Sequence, residues 1–266
     1  MGMVLEFVKY QGAGNDFILI DNREGHIQLN TEQIARLCHR NFGIGADGLI
    51  LLCQHLSLDF KMVYYNSDGK ESTMCGNGGR CIVQFAYDLN AIGPKTQFEA
   101  IDGLHQAHFE DTGIVSLHMK DVADIEQLDP NTYVLDTGSP HYVQFVENLK
   151  ALDVYHEGKA IRNSDRFVQE GINVNFVEIT GEEQLKIRTY ERGIEQETLA
   201  CGTGITAAAL SYISRQGKKE AGTFEIELTA QSGDHLKVRG KNGPNGFTDI
   251  NLIGPAQKVF SGHITI

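Results

Sequence analysis

The feature that most constrains this chain is a Cys-Gly-x-Gly turn that occurs twice, each time directly before a segment of helical character. The first copy is "MCGNGGRC" at residues 74–81 and the second is "ACGTGITAAA" at residues 200–209. Cys75 and Cys201 therefore lie 126 residues apart in a chain of 266, close to half its length. A repeat at this spacing predicts two copies of one fold.

Three further pairs of segments recur in the same order and at nearly the same spacing. They are "GNDFILI" (14–20) with "GSPHYVQ" (138–144), "FGIGADGLILL" (42–52) with "EGINVNFVEIT" (170–180), and "VYYNSDGKE" (63–71) with "RTYERGIEQ" (188–196). The last pair puts Asn66 opposite Glu191. Each match is weak by itself, but together they indicate a tandem duplication.

Short alternating or β-branched runs dominate both halves and predict strands. Helical patterns are few, at residues 31–40, 78–89, about 150–162 and 204–217. The sequence therefore predicts an α+β fold of two similar, duplicated domains related by a pseudo-twofold axis. Each domain would be a mixed or antiparallel β-sheet or barrel wrapped around a central helix. The charged segment 119–130 ends in proline and separates the halves, so we place the domains at residues 1–121 and 122–255.

Composition excludes several functional classes. The net charge of −12 disfavours binding to nucleic acid or to an anionic membrane surface. No apolar run approaches the roughly 20 residues of a membrane span, and the first residues lack a signal-peptide pattern, so we expect a cytoplasmic protein. The five cysteines lack C-x-x-C spacing and no H-x(3–5)-H pattern accompanies them, so we expect neither a metal site nor a disulfide framework.

The two turns place Cys75 and Cys201 at the N-termini of helices, where unpaired N–H groups and the helix dipole lower the pKa of a thiol. Glycine at the next position lets a ligand approach those N–H groups. If both turns faced one cleft, a thiolate could remove a proton from one face of a carbon while a thiol supplied one to the other. Amides at both helix ends would stabilise the developing enolate-like charge. The expected reaction is inversion of a stereocentre next to a carboxylate.

The chain resembles the diaminopimelate epimerase family over essentially its whole length. The resemblance is carried by "GAGNDFILID", "RNFGIGADGL", "YNSDGKESTMCGNGGRC", "TGSPHYV", "GINVNFVEI" and "ERGIEQETLACGTG". It implies an enzyme without a cofactor that interconverts LL- and meso-diaminopimelate on the route to lysine and peptidoglycan. It also implies that the C-terminal strand, residues 256–266, completes the first domain.

The same resemblance implies the roles of the site residues. Cys75 and Cys201 would be the acid/base pair. Glu191 and Arg192 would hold the distal, non-reacting end of the substrate. The other implied substrate-binding groups are Asn15, Asn66, Asn173 and the backbone amides of Gly76, Asn77, Gly202 and Thr203.

Two positions depart from the pattern that we regard as typical of the family. "ERGIEQET" is one residue longer than the usual E-R-G-x-G-E-T, and Ser139 stands where asparagine often occurs. For the remaining cysteines, Cys38, Cys53 and Cys81, we expect burial in the core. His141 follows Pro140 at a predicted strand start, and its sequence context suits a structural role and a site-lining role equally.

Two other functions remain open from the residues. A proline or hydroxyproline racemase would share the paired thiols, but it would not need Glu191 and Arg192 to bind a second amino-acid group. A non-catalytic module could bind phosphate at both glycine turns, although neither a P-loop nor a Rossmann fingerprint is present. The sequence leaves the oligomeric state open, with a homodimer as one option.

Overall fold

Strands outnumber helices in both halves of the chain, and each half folds as a unit. The computed structural model describes residues 2–111, 113–217 and 221–266. One unit comprises Met1–Leu117 and Gly254–Ile266, and the other comprises His118–Ile253. The boundaries that we placed after residues 121 and 255 fall a few residues further along the chain.

The first unit is a mixed sheet with two helices. Its strands are β1 (Val4–Gly12), β2 (Asn15–Asn22), β3 (Gly48–Cys53), β4 (Phe60–Asn66), β5 (Lys95–Ala100), β6 (Gly103–Asp111), β7 (Ile114–His118) and the C-terminal β17 (Gln257–Thr265). Its helices are α1 (Thr31–Cys38) and α2 (Gly76–Asp88). The order is β17-β1-β2-β3-β4-β5-β6-β7, with β2–β3 and β4–β5 parallel and the other pairs antiparallel.

The second unit repeats this plan. Its strands are β8 (Ile125–Asp129), β9 (Thr132–Asp136), β10 (Pro140–Phe145), β11 (Asn173–Gly181), β12 (Gln184–Glu191), β13 (Gln196–Thr198), β14 (Gly222–Thr229), β15 (His235–Gly243) and β16 (Gly246–Pro255). Its helices are α3 (Val154–Arg162) and α4 (Gly202–Arg215), with a 3-10 turn at Leu149–Ala151. The order is β8-β9-β10-β11-β12-β14-β15-β16, and the short β13 pairs with β12.

The two units share one topology. In each, the third and fourth strands of the sheet order, β2–β3 or β10–β11, are parallel and joined through a helix, α1 or α3. The next parallel pair is joined through the longer helix, α2 or α4. These matching crossovers confirm the predicted α+β fold with duplicated domains.

The C-terminal strand has a specific place in this repeat. β17 pairs antiparallel with β1 of the first unit, just as β8 pairs antiparallel with β9 of the second. The outer strand of the first unit therefore comes from the C-terminal end of the chain, and that of the second unit comes from the beginning of that unit. We had interpreted residues 119–130 as a charged connection, and β8 within that segment corrects this interpretation.

The longer helix of each unit forms its centre. In α2 every residue from Gly76 to Ala86 is buried, and in α4 every residue from Gly204 to Ile213 is buried. A helix that is buried on all sides must be surrounded by other elements. α2 packs against β1, β2, β3 and β17, and α4 packs against six strands from β9 to β15. Each sheet therefore wraps around a helix whose N-terminal residue follows a cysteine. No helix in the described residues is long and apolar enough to cross a membrane.

Candidate active site

In the first unit, three neighbouring strands and the central helix bring predicted site residues to one edge. β2 begins at Asn15, β3 begins at Gly48 and β4 ends at Asn66. Gly48 lies opposite Asn66 in the β3–β4 register and opposite Phe17 in the β2–β3 register. Cys75 immediately precedes α2, in extended backbone with φ −91° and ψ 130°.

Cys75 contacts an asparagine whose amide is oriented by a carboxylate. Asn15 Nδ2 donates to Asp47 Oδ2 at 2.5 Å, and Arg40 Nη2 lies 2.7 Å from Asp47 Oδ1. Because an ionised carboxylate only accepts hydrogen bonds, the amide nitrogen of Asn15 must face Asp47. Asn15 Oδ1 then faces Cys75 Sγ at 3.6 Å. The side chain therefore presents an acceptor to the thiol.

The first turn of α2 is held by a buried arginine. Arg80 is fully buried, and it donates to Asn77 Oδ1 at 3.0 Å and to the carbonyl of Gly76 at 3.2 Å. This fixes the Asn77 amide so that Nδ2 reaches Asn15 Oδ1 at 3.4 Å. The structure thus brings Asn15, Gly76 and Asn77 together with Cys75. Asn66 is exposed, and its backbone closes the turn that follows β4.

The equivalent edge of the second unit carries the other predicted residues. Asn173 begins β11 and Glu191 ends β12. Asn173 Oδ1 accepts from the N–H of Arg192 at 2.9 Å, and its Nδ2 donates to Ser139 Oγ at 3.2 Å. Thr198 Oγ1 donates to Glu191 Oε2 at 3.0 Å. The site of the second unit is therefore built from the same strand ends as that of the first.

Cys201 precedes α4 and is 8% exposed. Its Sγ lies 3.4 Å from Thr203 Oγ1, and His141 Nε2 lies 2.9 Å from the same oxygen. Asn175 Nδ2 lies 3.0 Å from His141 Nδ1 and donates to the carbonyl of Tyr142. An amide nitrogen cannot accept, so Nδ1 is the acceptor and Nε2 carries the proton. The Nε2–H of His141 thus faces the Thr203 hydroxyl and that of Ser139, 3.0 Å away, and these two hydroxyls lie 3.2 Å apart next to the sulfur.

His141 is fully buried, and burial lowers its pKa from the usual 6.5 to about 3. The unfolded chain therefore binds a proton between these values that the folded protein does not. We expect the free energy of unfolding to fall as the pH is lowered below 6.5, by up to about 1.4 kcal/mol per pH unit for this group. Urea unfolding between pH 7 and pH 4 should show a smaller pH dependence in His141→Gln. Equal slopes in both proteins would contradict a buried neutral histidine.

Sequence reasoning missed several of these partners. Asp47 lies within "FGIGADGL" but was not singled out, although an acidic residue at a strand start was a visible signal. Asn175 lies two residues after Asn173 on β11, and no sequence motif marked it as a residue of the site. Cys81 and Cys38 are buried as predicted, whereas Cys53 is only half-buried. In the described residues, no group of three or more His, Cys, Asp or Glu side chains is arranged to hold a metal ion.

Comparison with known proteins identifies the family of this chain. The family model described as diaminopimelate epimerase matches residues 7–121 and 133–244. A protein of Flavobacterium psychrophilum named diaminopimelate epimerase is 53% identical over 96% of this chain and 98% of its own. A protein of the same name from Chlorobaculum tepidum is 46% identical over 96% of this chain and 99% of its own. Another from Aquifex aeolicus is 36% identical over 98% of this chain and 98% of its own. This chain belongs to the diaminopimelate epimerase family.

Solved structures show how widely the diaminopimelate epimerase fold is shared. A protein of the PhzF family of phenazine biosynthesis proteins from Bacillus anthracis superimposes with a TM-score of 0.78 at 14% identity, over 99% of this chain and all of that one. A hydroxyproline epimerase from Agrobacterium vitis superimposes with a TM-score of 0.70 at 12% identity, over 100% of this chain and 94% of that one. At these identities the likeness concerns the fold alone. Membership of the diaminopimelate epimerase family confirms the resemblance that the six motifs carried.

Proposed function

We propose that this protein interconverts LL- and meso-diaminopimelate, with Cys75 and Cys201 as the acid/base pair. One observation carries the proposal: each cysteine stands at the same point of a repeated topology, directly before the central helix of its unit. Two copies of a thiol at a helix N-terminus suit a reaction that needs one proton-transfer group on each face of a carbon. Family membership supplies the substrate.

The proton transfers balance without any other reactant. One cysteine, as the thiolate, takes the α-proton from one face of the α-carbon and becomes a thiol. The other cysteine, as the thiol, gives its proton to the opposite face and becomes a thiolate. The configuration is inverted, and the two sulfurs have exchanged charge states, which is the arrangement that the reverse reaction needs. The scheme requires no cofactor.

The backbone at both helix starts supports the developing negative charge. The first N–H groups of an α-helix have no acceptor within the helix, and those of Gly76, Asn77, Gly202 and Thr203 belong to the first turns of α2 and α4. Fixed donors of this kind stabilise an enolate-like carboxylate in the transition state, because they need no reorganisation during the reaction. Arg80 and Thr137 keep these turns in place through Gly76 and the carbonyl of Thr203.

Charged residues of the second unit bind the distal amino-acid group of the substrate in this proposal. Arg192 is exposed, and its guanidinium donates to the carbonyl of Glu170 at 2.9 Å. It therefore has donors left for a carboxylate, while Glu191 offers a carboxylate for an ammonium group. Asn173 fixes the backbone of Arg192, and Asn15 and Asn66 are the contributions of the first unit to substrate binding. We place the enzyme in the cytoplasm, where thiols stay reduced.

Two other functions give different results in simple assays. A proline racemase would turn over proline, which lacks a second amino-acid group for Glu191 and Arg192. A phosphate-binding module would keep its ligand affinity after either cysteine is replaced by alanine. Efficient racemisation of proline, or phosphate binding without epimerisation, would reject the proposed function in favour of one of these.

Proton flow provides a direct test. Run in D2O from pure LL-diaminopimelate and stopped at low conversion, the reaction should give meso product with one solvent deuterium at the inverted carbon. The recovered substrate should remain almost wholly protiated, because return of a proton to the original face is not part of turnover. Mass spectrometry of both isomers measures this. Substantial protium at the inverted carbon of the product would indicate a single base and contradict the pairing of Cys75 with Cys201.

A further inference from the structure

The turn after β12 contains a carboxylate at its centre. Glu195 has φ 56°, a left-handed conformation that favours glycine. Its N–H donates to the carbonyl of Glu191 at 2.8 Å, which closes the turn that begins with Arg192 and Gly193. The backbone itself therefore gives no preference for glutamate at this position.

That side chain has three partners around the turn. Glu195 Oε1 accepts from the N–H of Gly193 at 3.1 Å, and Oε2 accepts from the hydroxyl of Tyr190 at 3.1 Å. Arg162 Nε lies 3.4 Å from Oε1 in an ion pair. Partial burial alone would raise the pKa of Glu195, but these donors and the guanidinium hold it below its usual range. The carboxylate is therefore ionised near neutral pH.

The partners of Glu195 are anchored by α3. Tyr190 is 1% exposed, and a Cβ added at Gly158 of α3 would lie 2.4 Å from Tyr190 Cβ. Tyr190 therefore packs directly against the backbone of α3 at this glycine. Arg162 is the last residue of the same helix. Glu195 thus connects the turn to a rigid element at two points.

Two arginine side chains meet beside this turn. A Cβ added at Gly171 would lie 2.7 Å from Arg192 Cδ and 2.9 Å from Arg162 Cζ, so both side chains pass over the same glycine. Like charges on neighbouring side chains repel each other unless one is neutralised. Glu195 pairs with Arg162, whereas Arg192 donates to the uncharged carbonyl of Glu170. Arg192 is therefore the cation left to meet an incoming carboxylate.

The geometry points to Glu195 as a positioning residue for substrate specificity. Its carboxylate fixes the turn and neutralises Arg162, and Arg192 is thereby presented to the distal carboxylate of the substrate. This inference rests on the proposed function, in which Arg192 binds that carboxylate. Glu195 itself contacts neither the substrate nor the reacting atoms.

Three substitutions separate the roles of charge, hydrogen bonding and backbone conformation. Glu195→Gln keeps an acceptor for the N–H of Gly193 and removes the charge. Glu195→Ala removes the acceptor and the charge. Glu195→Gly also removes them, and it relieves the strain of the left-handed backbone conformation. We expect Glu195→Ala and Glu195→Gly to raise KM for diaminopimelate about tenfold and to leave kcat within about twofold. Glu195→Gln should raise KM by a smaller factor. In NMR spectra, the amide of Gly193 should exchange faster with solvent in the alanine and glycine variants.

The chain contains a matched control. Glu183 has φ 58° and lies in the turn at the opposite end of β12, between β11 and β12. It is the same residue type in the same backbone conformation, away from Arg192. Glu183→Ala and Glu183→Gly should leave KM within about twofold of the wild type. This comparison removes any general effect of changing a left-handed glutamate.

A wild-type KM in Glu195→Gly would overturn the inference, since the turn would then need no carboxylate. An equal rise in KM in the Glu183 variants would overturn it as well. If the wild-type protein did not epimerise diaminopimelate at all, the proposed function would fail, and the NMR measurements would still test the turn. In that case unchanged exchange at Gly193 and an unchanged Arg192 Nε–H resonance in Glu195→Gly would show that Glu195 positions neither group.

Discussion

Replacing either Cys75 or Cys201 with alanine is expected to lower kcat for epimerisation by about 10²- to 10⁴-fold, the usual contribution of a general acid or base. Each thiol has a separate role, so the loss of one leaves no group to remove or deliver the proton on that face. The effect should appear in both reaction directions. Chiral chromatography of LL- and meso-diaminopimelate measures the conversion, and circular dichroism reports whether the fold is retained.

Cys53 offers a control in the same chain. It is half-buried at the end of β3, and Cys53→Ala should retain near-normal turnover. Cys81 is a poorer control, because it is fully buried beside the first turn of α2 and its loss would leave a cavity. Near-normal conversion in a Cys75 or Cys201 variant would remove that sulfur from the mechanism.

Replacing Arg192 with alanine is expected to reduce kcat/KM for diaminopimelate by about 10- to 100-fold, as the loss of a hydrogen bond between charged groups implies. The guanidinium lies on the exposed side of the turn and retains donors beyond its bond to Glu170. Removing it leaves the distal carboxylate of the substrate without its counter-charge. Steady-state kinetics should show the loss mainly in KM, because the distal group takes no part in the proton transfers.

Arg166 provides the matched comparison. It is an exposed arginine of the same unit whose guanidinium pairs with Glu126 of β8 at 2.5 Å. Arg166→Ala should leave kcat/KM within about twofold of the wild type, since exposed ion pairs contribute little. Equal losses in the two variants would indicate a general effect of charge and would remove Arg192 from substrate recognition.

Much of the fold could be predicted because its signals are local or repeated. The helices at α1, α2, α3 and α4 lie where periodic apolar patterns predicted them, and the recurrence of segments at one spacing predicted the duplication. β8 was missed because its residues are mostly charged or polar and exposed, so it lacks the apolar alternation of a strand that covers a core. The segment is a strand because it pairs with β9, and the local sequence pattern does not reveal that pairing.

The site could be predicted only in part, for a similar reason. The cysteines and glycine turns are contiguous in sequence, so their place at helix starts was readable. The contacts that orient them depend on strand register. Asp47 meets Asn15 because β2 and β3 are parallel neighbours, and Asn175 meets His141 because β10 and β11 are. Neither partnership follows from spacing along the chain.

The position of β17 also has a consequence for how the chain is made. β17 completes the first unit, yet it is translated after the whole of the second. The second unit is continuous, so every strand of its sheet has emerged from the ribosome while β1 still has an open edge. Because domains generally fold as units during synthesis, the usual N-terminal-first order is reversed here. The half that begins the protein is the last to be finished, and an unpaired strand edge is exposed throughout that interval.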